Sequence, residues 1–117
     1  MTEEKRNSPR CTISQLVQMR HGYERWRTGE VVDISCGGLR CTSSYQFSPG
    51  DTVFFLLDLD GNASIRVDAT AMHVQEVEDQ VFETGFSFTR FYDGSQPVLS
   101  EFIEQTDGID GGCRDET

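Results

Sequence analysis

Along the chain, apolar and polar positions alternate in short runs rather than at helical spacing, and most runs are rich in β-branched or aromatic residues. Ile13, Leu16 and Val17 form the first run, and Trp26, Val31, Val32 and Ile34 the second, with the turn-like "HGYE" between them. Two strands joined as a hairpin is the simplest reading. "LRCTSS" follows "CGG", and a proline-glycine turn, "SPGD", leads into "TVFFLLDL". A second turn, "DGN", precedes "SIRVDATAMHVQEVE", and "VFETGFSFTRF" closes the series, its Gly85 marking a bulge or a close backbone approach. Six strands at short spacing without intervening helices predict an all-β fold, an antiparallel barrel or sandwich.

The two ends of the chain read differently. In "SQPVLSEFIEQT", Val98, Leu99, Phe102 and Ile103 fall on one face of a short helix, with Ser95 as its cap ahead of Pro97. This helix is expected to close one end of the barrel or lie across it. Residues 1 to 10 lack apolar periodicity and contain Pro9, the pattern of a flexible N-terminal arm before a folded unit over residues 11 to 106. "DGIDGGCRDET", from Asp107, is acidic and glycine-rich and offers too little apolar surface to offset the entropy of ordering, so a disordered tail is expected over residues 107 to 117.

Composition sharpens the functional question. A chain of 117 residues can bury a core without disulfides or structural metal. Its formal charge is -10, yet residues 1 to 40 hold seven lysines and arginines against five acids. So acidic a chain repels a nucleic-acid polymer, whose binding relies on many cationic contacts. A small anion instead senses the few nearest charges, because exposed charges beyond about 8 to 10 Å are screened. The four cysteines, Cys11, Cys36, Cys41 and Cys113, form no CxxC pair, and His21 and His73 do not stand at zinc spacing, so no metal site is expected. There is no signal peptide and no apolar run near the ~20 residues of a membrane helix, which predicts a soluble cytoplasmic protein with reduced thiols and no membrane insertion. "DLDGNA" opens like a calcium loop but carries Ala63 and Ala69 where such a loop needs glycine and glutamate, and reads as a hairpin turn. No GxSxG, phosphate loop or paired general acid and base is visible, so no enzyme is expected. The aromatics Phe82, Phe86, Phe88, Phe91 and Tyr92 could stack bases, but in so acidic a half they read as core packing with a partner-facing edge.

Two stretches carry candidate chemistry. In "KRNSPR", Pro9 holds Ser8 extended and keeps Arg6 and Arg10 on a loop. An arginine fork donates paired hydrogen bonds to phosphate, stacks on a base and can reach guanine O6 and N7; an isolated RxxxR is more often a solubilising basic tail. In "DISCGG", Asp33 can accept from the guanine N1 and N2 donors, Ser35 adds a hydroxyl, and Gly37 with Gly38 permits close approach. In an extended strand Asp33 and Ser35 share one face while Ile34 enters the core. The plain alternative is a turn in which Asp and Ser bond their own backbone.

Together, Arg6-xxx-Arg10, a first hairpin, then Asp33-x-Ser35-x-x-Gly38 resemble the signature of PilZ domains, bacterial receptors for cyclic diguanylate. The resemblance spans roughly residues 4 to 106, including the "SPGD" turn and "ETGFSF" before a closing helix. It implies a six-stranded antiparallel β-barrel with a C-terminal helix and, as ligand, cyclic diguanylate without any further cofactor. By the same resemblance Arg6 and Arg10 clasp the phosphates and guanine edges, Asp33 and Ser35 hold a guanine, and Gly38 supplies a tight backbone. Arg40 adds positive charge near the pocket. Lys5 stands where the family often has a further arginine, leaving open whether one ligand or an intercalated pair binds. The implied output is an arginine arm that orders on the nucleotide and signals through a separate, unidentified protein, in motility or biofilm control. The alternative is a nucleotide-independent adaptor in pilus or motility regulation.

Overall fold

Strand pairing closes into a ring. A computed structural model describes residues 11–59 and 63–107. Within it are β1 (Cys11–His21), β2 (Arg27–Ile34), β3 (Gly38–Ser43), β4 (Thr52–Leu59), β5 (Ala63–Glu78), β6 (Val81–Phe91) and α1 (Ser95–Asp107). Every pairing is antiparallel, in the order β1-β2-β3-β6-β5-β4, with β4 returning to β1 to complete a closed barrel. The expected strand series, the barrel and the terminal helix are all present.

β4 shows how the sequence selects the interior. "TVFFLLDL" is apolar almost throughout, yet Val53, Phe55, Leu57 and Leu59 are buried while Phe54 and Leu56 are only half-buried on the outer face. The period-2 geometry of a strand decides which of two adjacent phenylalanines enters the core. Phe55 meets Phe86 edge to face at 4.7 Å, and Phe47, from the segment between β3 and β4, meets Phe86 at 5.3 Å. Leu99 and Ile103 of α1 are fully buried in the same cluster, each burial contributing about 1.5–3 kcal/mol. The helix packs on β5 and β1.

Ser48 to Asp51 turns as its sequence predicts: Gly50 has φ +98°, Asp51 N–H donates to Ser48 O at 3.0 Å, and Ser48 N–H donates to the Asp51 carboxylate at 2.8 Å. The "DGN" turn lies outside the described residues, but Leu59 and Ala63 on either side pair with one another. Among the cluster of aromatics near the end of the chain, Phe86 lies in the core, Phe88 and Phe91 pack against it, and the Tyr92 hydroxyl donates to Asp68 at 2.6 Å.

Four local expectations are corrected. Trp26 lies in the β1–β2 connection, 41% exposed and edge-on to Phe54, because β2 begins at Arg27. His21 ends β1 instead of sitting in the turn, which starts at Gly22 with φ +65°. The Ser95 hydroxyl does not cap its own helix: it accepts the Arg66 N–H of β5 at 2.8 Å and ties α1 to the barrel. Reduced thiols hold at Cys41, a free and buried cysteine, but Cys36 is disulfide-bonded. Among the described residues no helix is long and apolar enough to cross a membrane.

Candidate functional site

The β2–β3 connection carries the Asp33, Ser35 and Gly38 predicted from sequence. A register shift between Val31 and Asp33 leaves Val32 out of the β2–β3 ladder and sets Asp33 directly opposite Arg40. Such a bulge re-aims the side chains beyond it. Asp33 and Ser35 are both only 5% exposed and Ile34 between them is fully buried, so all three are withdrawn from solvent.

Ser35 lies one residue past the end of β2 and closes the turn: its N–H donates to Gly38 O at 2.8 Å, and its hydroxyl accepts the Gly37 N–H at 3.3 Å. The turn reading of this stretch therefore holds for Ser35. Gly37 O in turn accepts the Phe88 N–H at 2.8 Å, fixing the loop to β6. Gly38 has a reason for being glycine that the sequence did not suggest. A Cβ there would lie 2.0 Å from Phe86 O, so its smallness serves the contact between β3 and β6. Gly37, where a Cβ would meet nothing within 4 Å, is the residue with open space beside it.

Arg40 binds the two sides of this region together. Its Nε donates to Asp33 Oδ2 at 3.0 Å, a second guanidinium nitrogen donates to the same oxygen, and Nη1 lies 3.4 Å from Glu83 Oε2 on β6. Asp33's hydrogen bonds raise the Arg40 pKa, with added help from the charges of Asp33 and Glu83, while partial burial opposes them. The cation is thus pinned between two carboxylates. Beside it, a hollow of about 170 Å³ is lined by Arg40, His73, Val74, Gln75, Glu83 and Gly85. Gly85 opens that hollow: it pairs with Arg40 on β3, and a Cβ on it would come within 3.1 Å of the His73 ring. The irregularity expected at Gly85 falls on the facing strand, where the β5–β6 register shifts between Ala71 and His73.

Asp33, Ser35, Gly38 and Arg40 are therefore gathered at one seam of the barrel, whereas Lys5, Arg6 and Arg10 lie outside the described residues. Glu83, Gln75 and His73 were missed as members of this region. Only the strand register could have found them, because 40 to 50 residues separate them from Asp33. Chemically, the seam presents a nearly buried carboxylate, a guanidinium held between two carboxylates, and a small hollow beside it of mixed polar and apolar lining.

The family model for the PilZ domain matches residues 4–105, and the chain belongs to the PilZ domain family. Solved structures share the fold. The Bacillus subtilis inhibitor of motility, MotI/DgrA, is 15% identical with a TM-score of 0.74; the match covers 92% of this chain and 54% of that one, so the chain spans about half of its length. The PilZ domain of YcgR from Escherichia coli, solved with c-di-GMP, is 15% identical with a TM-score of 0.65, covering 90% of this chain and 93% of that one. The PilZ domain of CeSA from a cellulose-synthesizing bacterium is 20% identical with a TM-score of 0.62, over 86% and 97%. No curated protein matches the sequence.

Proposed function

We propose that this protein is a receptor for cyclic diguanylate and not an enzyme. The observation that carries the reading is the seam itself: Asp33, Ser35 and Gly38 of the family signature stand together, with Arg40 hydrogen-bonded to Asp33 and a hollow alongside. The family match and the YcgR structure with c-di-GMP support the choice of ligand. In this reading the Asp33 carboxylate accepts from guanine N1 and N2, and Arg40 offers donors to O6 and N7 of a base or to a phosphate. Arg6 and Arg10, with Lys5, clasp the phosphates as charge-assisted donors. The arm that carries them orders on the nucleotide and presents a new surface to a partner protein, coupling binding to folding.

A second reading has an observation of its own. Arg40 already satisfies part of Asp33, and the Ser35 hydroxyl is used inside its turn, so the signature residues also serve the barrel without any ligand. That is the arrangement expected of a nucleotide-independent adaptor.

Calorimetric titration of cyclic diguanylate into the protein, beside Arg10→Ala and Asp33→Ala, separates the two. Saturable binding that both substitutions weaken by about ten- to a hundredfold, with none to GTP or cyclic diadenylate, is the outcome expected of a receptor; losing a hydrogen bond to a charged group costs about 1.5–3 kcal/mol. No binding at millimolar ligand would leave the adaptor. Limited proteolysis near Arg6 and Arg10 tests the arm: cleavage slows under saturating ligand if the arm orders.

A further inference from the structure

The segment "GYERW", Gly22 to Trp26, joins β1 to β2 and carries two exposed aromatic side chains, Tyr23 at 97% and Trp26 at 41%. From Trp26 a line of ring contacts runs across the outer wall of the barrel. The Arg20 guanidinium of β1 lies over the Trp26 ring at 5.7 Å, Trp26 meets Phe54 of β4 edge to face at 5.9 Å, and Phe54 meets Tyr92 in the same way at 5.6 Å. Arg90 of β6 closes the line, 4.7 Å over the Tyr92 ring. Arg20 is held there twice: it stands opposite Phe54 in the β1–β4 ladder, and its Nε donates to Glu24 O at 3.0 Å. The acids around the line are already engaged. Glu24 pairs with Arg27 at 3.3 Å, Asp93 pairs with Arg66, and Asp68, opposite Arg90 in the β5–β6 ladder, accepts the Tyr92 hydroxyl at 2.6 Å. Arg20, Arg90 and Arg25, which is beside Trp26 in the chain, are left with no carboxylate partner among the described residues, on a protein whose formal charge is -10.

We propose that this face docks an acidic segment of a partner protein: its carboxylates meet Arg20, Arg25 and Arg90, and an apolar side chain between them packs on Trp26 and Phe54. Tryptophan, tyrosine and arginine are the residue types that dominate binding energy at protein interfaces. An arginine that lacks a carboxylate in its own chain takes one from a partner as a charge-assisted pair, and the local positive charge steers an acidic partner to this side of an otherwise acidic molecule. Single-stranded nucleic acid also uses aromatics and arginines, but it stacks successive bases on open ring faces. Here the rings meet at 69° and 72°, and Arg20 and Arg90 each cover a ring face. The docking face stands apart from the seam, since Trp26 is seven residues from Asp33, roughly 23 Å along an extended strand. Docking there therefore holds whether or not the seam takes a nucleotide.

Short random peptides displayed on phage and selected against the full chain provide the test. Those recovered are expected to carry net negative charge together with an aromatic or large aliphatic residue. The strongest of them, synthesised with a fluorescent label and titrated with the protein, binds more weakly as salt rises. Arg90→Glu, at an exposed position where the melting curve is expected to stay unchanged, weakens that binding about tenfold, and Trp26→Ala does the same. Recovery of peptides without net negative charge, or of none that binds below millimolar, would overturn the proposal. A loss smaller than about threefold in either variant would overturn it as well. Tighter binding of an oligothymidylate than of the selected peptide, lost in the same two variants, would assign the face to single-stranded nucleic acid instead.

Discussion

Two glycine-containing connections, Ser35 to Gly38 and Ser48 to Asp51, look alike in the sequence and are held for opposite reasons. At Gly50 there is ample space, with nothing within 4 Å of a would-be Cβ, but φ is +98°, a conformation that side chains resist. At Gly38 the backbone conformation is ordinary and the space is gone, since Phe86 O of β6 would meet a Cβ at 2.0 Å. One glycine is demanded by the path of its own chain, the other by a strand nearly fifty residues away. A turn motif can therefore be a packing motif, and the part of this signature that reads most like a flexible loop is wedged against the barrel wall.

Four substitutions or conditions set that contrast at risk. Gly38→Ala forces β3 from β6 and is expected to cost about 3 kcal/mol or more, since the atom in the way is backbone and cannot rotate aside. Denaturant unfolding measures it, and a loss below about 1 kcal/mol would mean the seam relaxes. Gly50→Ala keeps every contact and strains one φ, so about 1–2 kcal/mol is expected from the same experiment.

The inner side of the seam responds to pH through Cys41. Its folded pKa of about 12 lies above the ordinary value of 9.0, so above pH 9 the unfolded chain loses a proton that the native state keeps. Stability should then fall by about 1.4 kcal/mol per pH unit between roughly pH 9 and 12, and Cys41→Ala should remove that slope. Gly37→Ala, in open space at an ordinary φ, should change stability by less than about 0.5 kcal/mol. A large effect there would show that the turn, and not its contact with β6, governs the region.

The sequence made the barrel legible because strand periodicity and turn chemistry are local. "SPGD" declares its own geometry, and Val53, Phe55 and Leu57 need only alternate to find the interior. Trp26 was misplaced because an aromatic residue next to a strand carries the same signal as one inside it; only the pairing of Met19 with Arg27 shows where β2 begins. Ser95 was misjudged for a related reason: a hydroxyl at a helix start can cap the helix or serve another element, and β5 offered Arg66 N–H. The site was half legible. Asp33, Ser35 and Gly38 lie within six residues and form a recognisable pattern. Glu83, Gln75 and His73 join them only through the β3–β6 and β5–β6 registers, which no local pattern encodes.

β5 is twice as long as β4, and β4 pairs with it only as far as Thr70. From Met72 to Glu78, β5 runs on with β6 on one side. That extension exposes Met72 and Val77, apolar residues on a strand margin of the kind that recruits other strands into aggregates. Glu76, Glu78 and Asp79 sit on the same projection. Their charge turns a sticky edge into a repulsive one, so the acidity of the second half of the chain also acts as a colloidal safeguard.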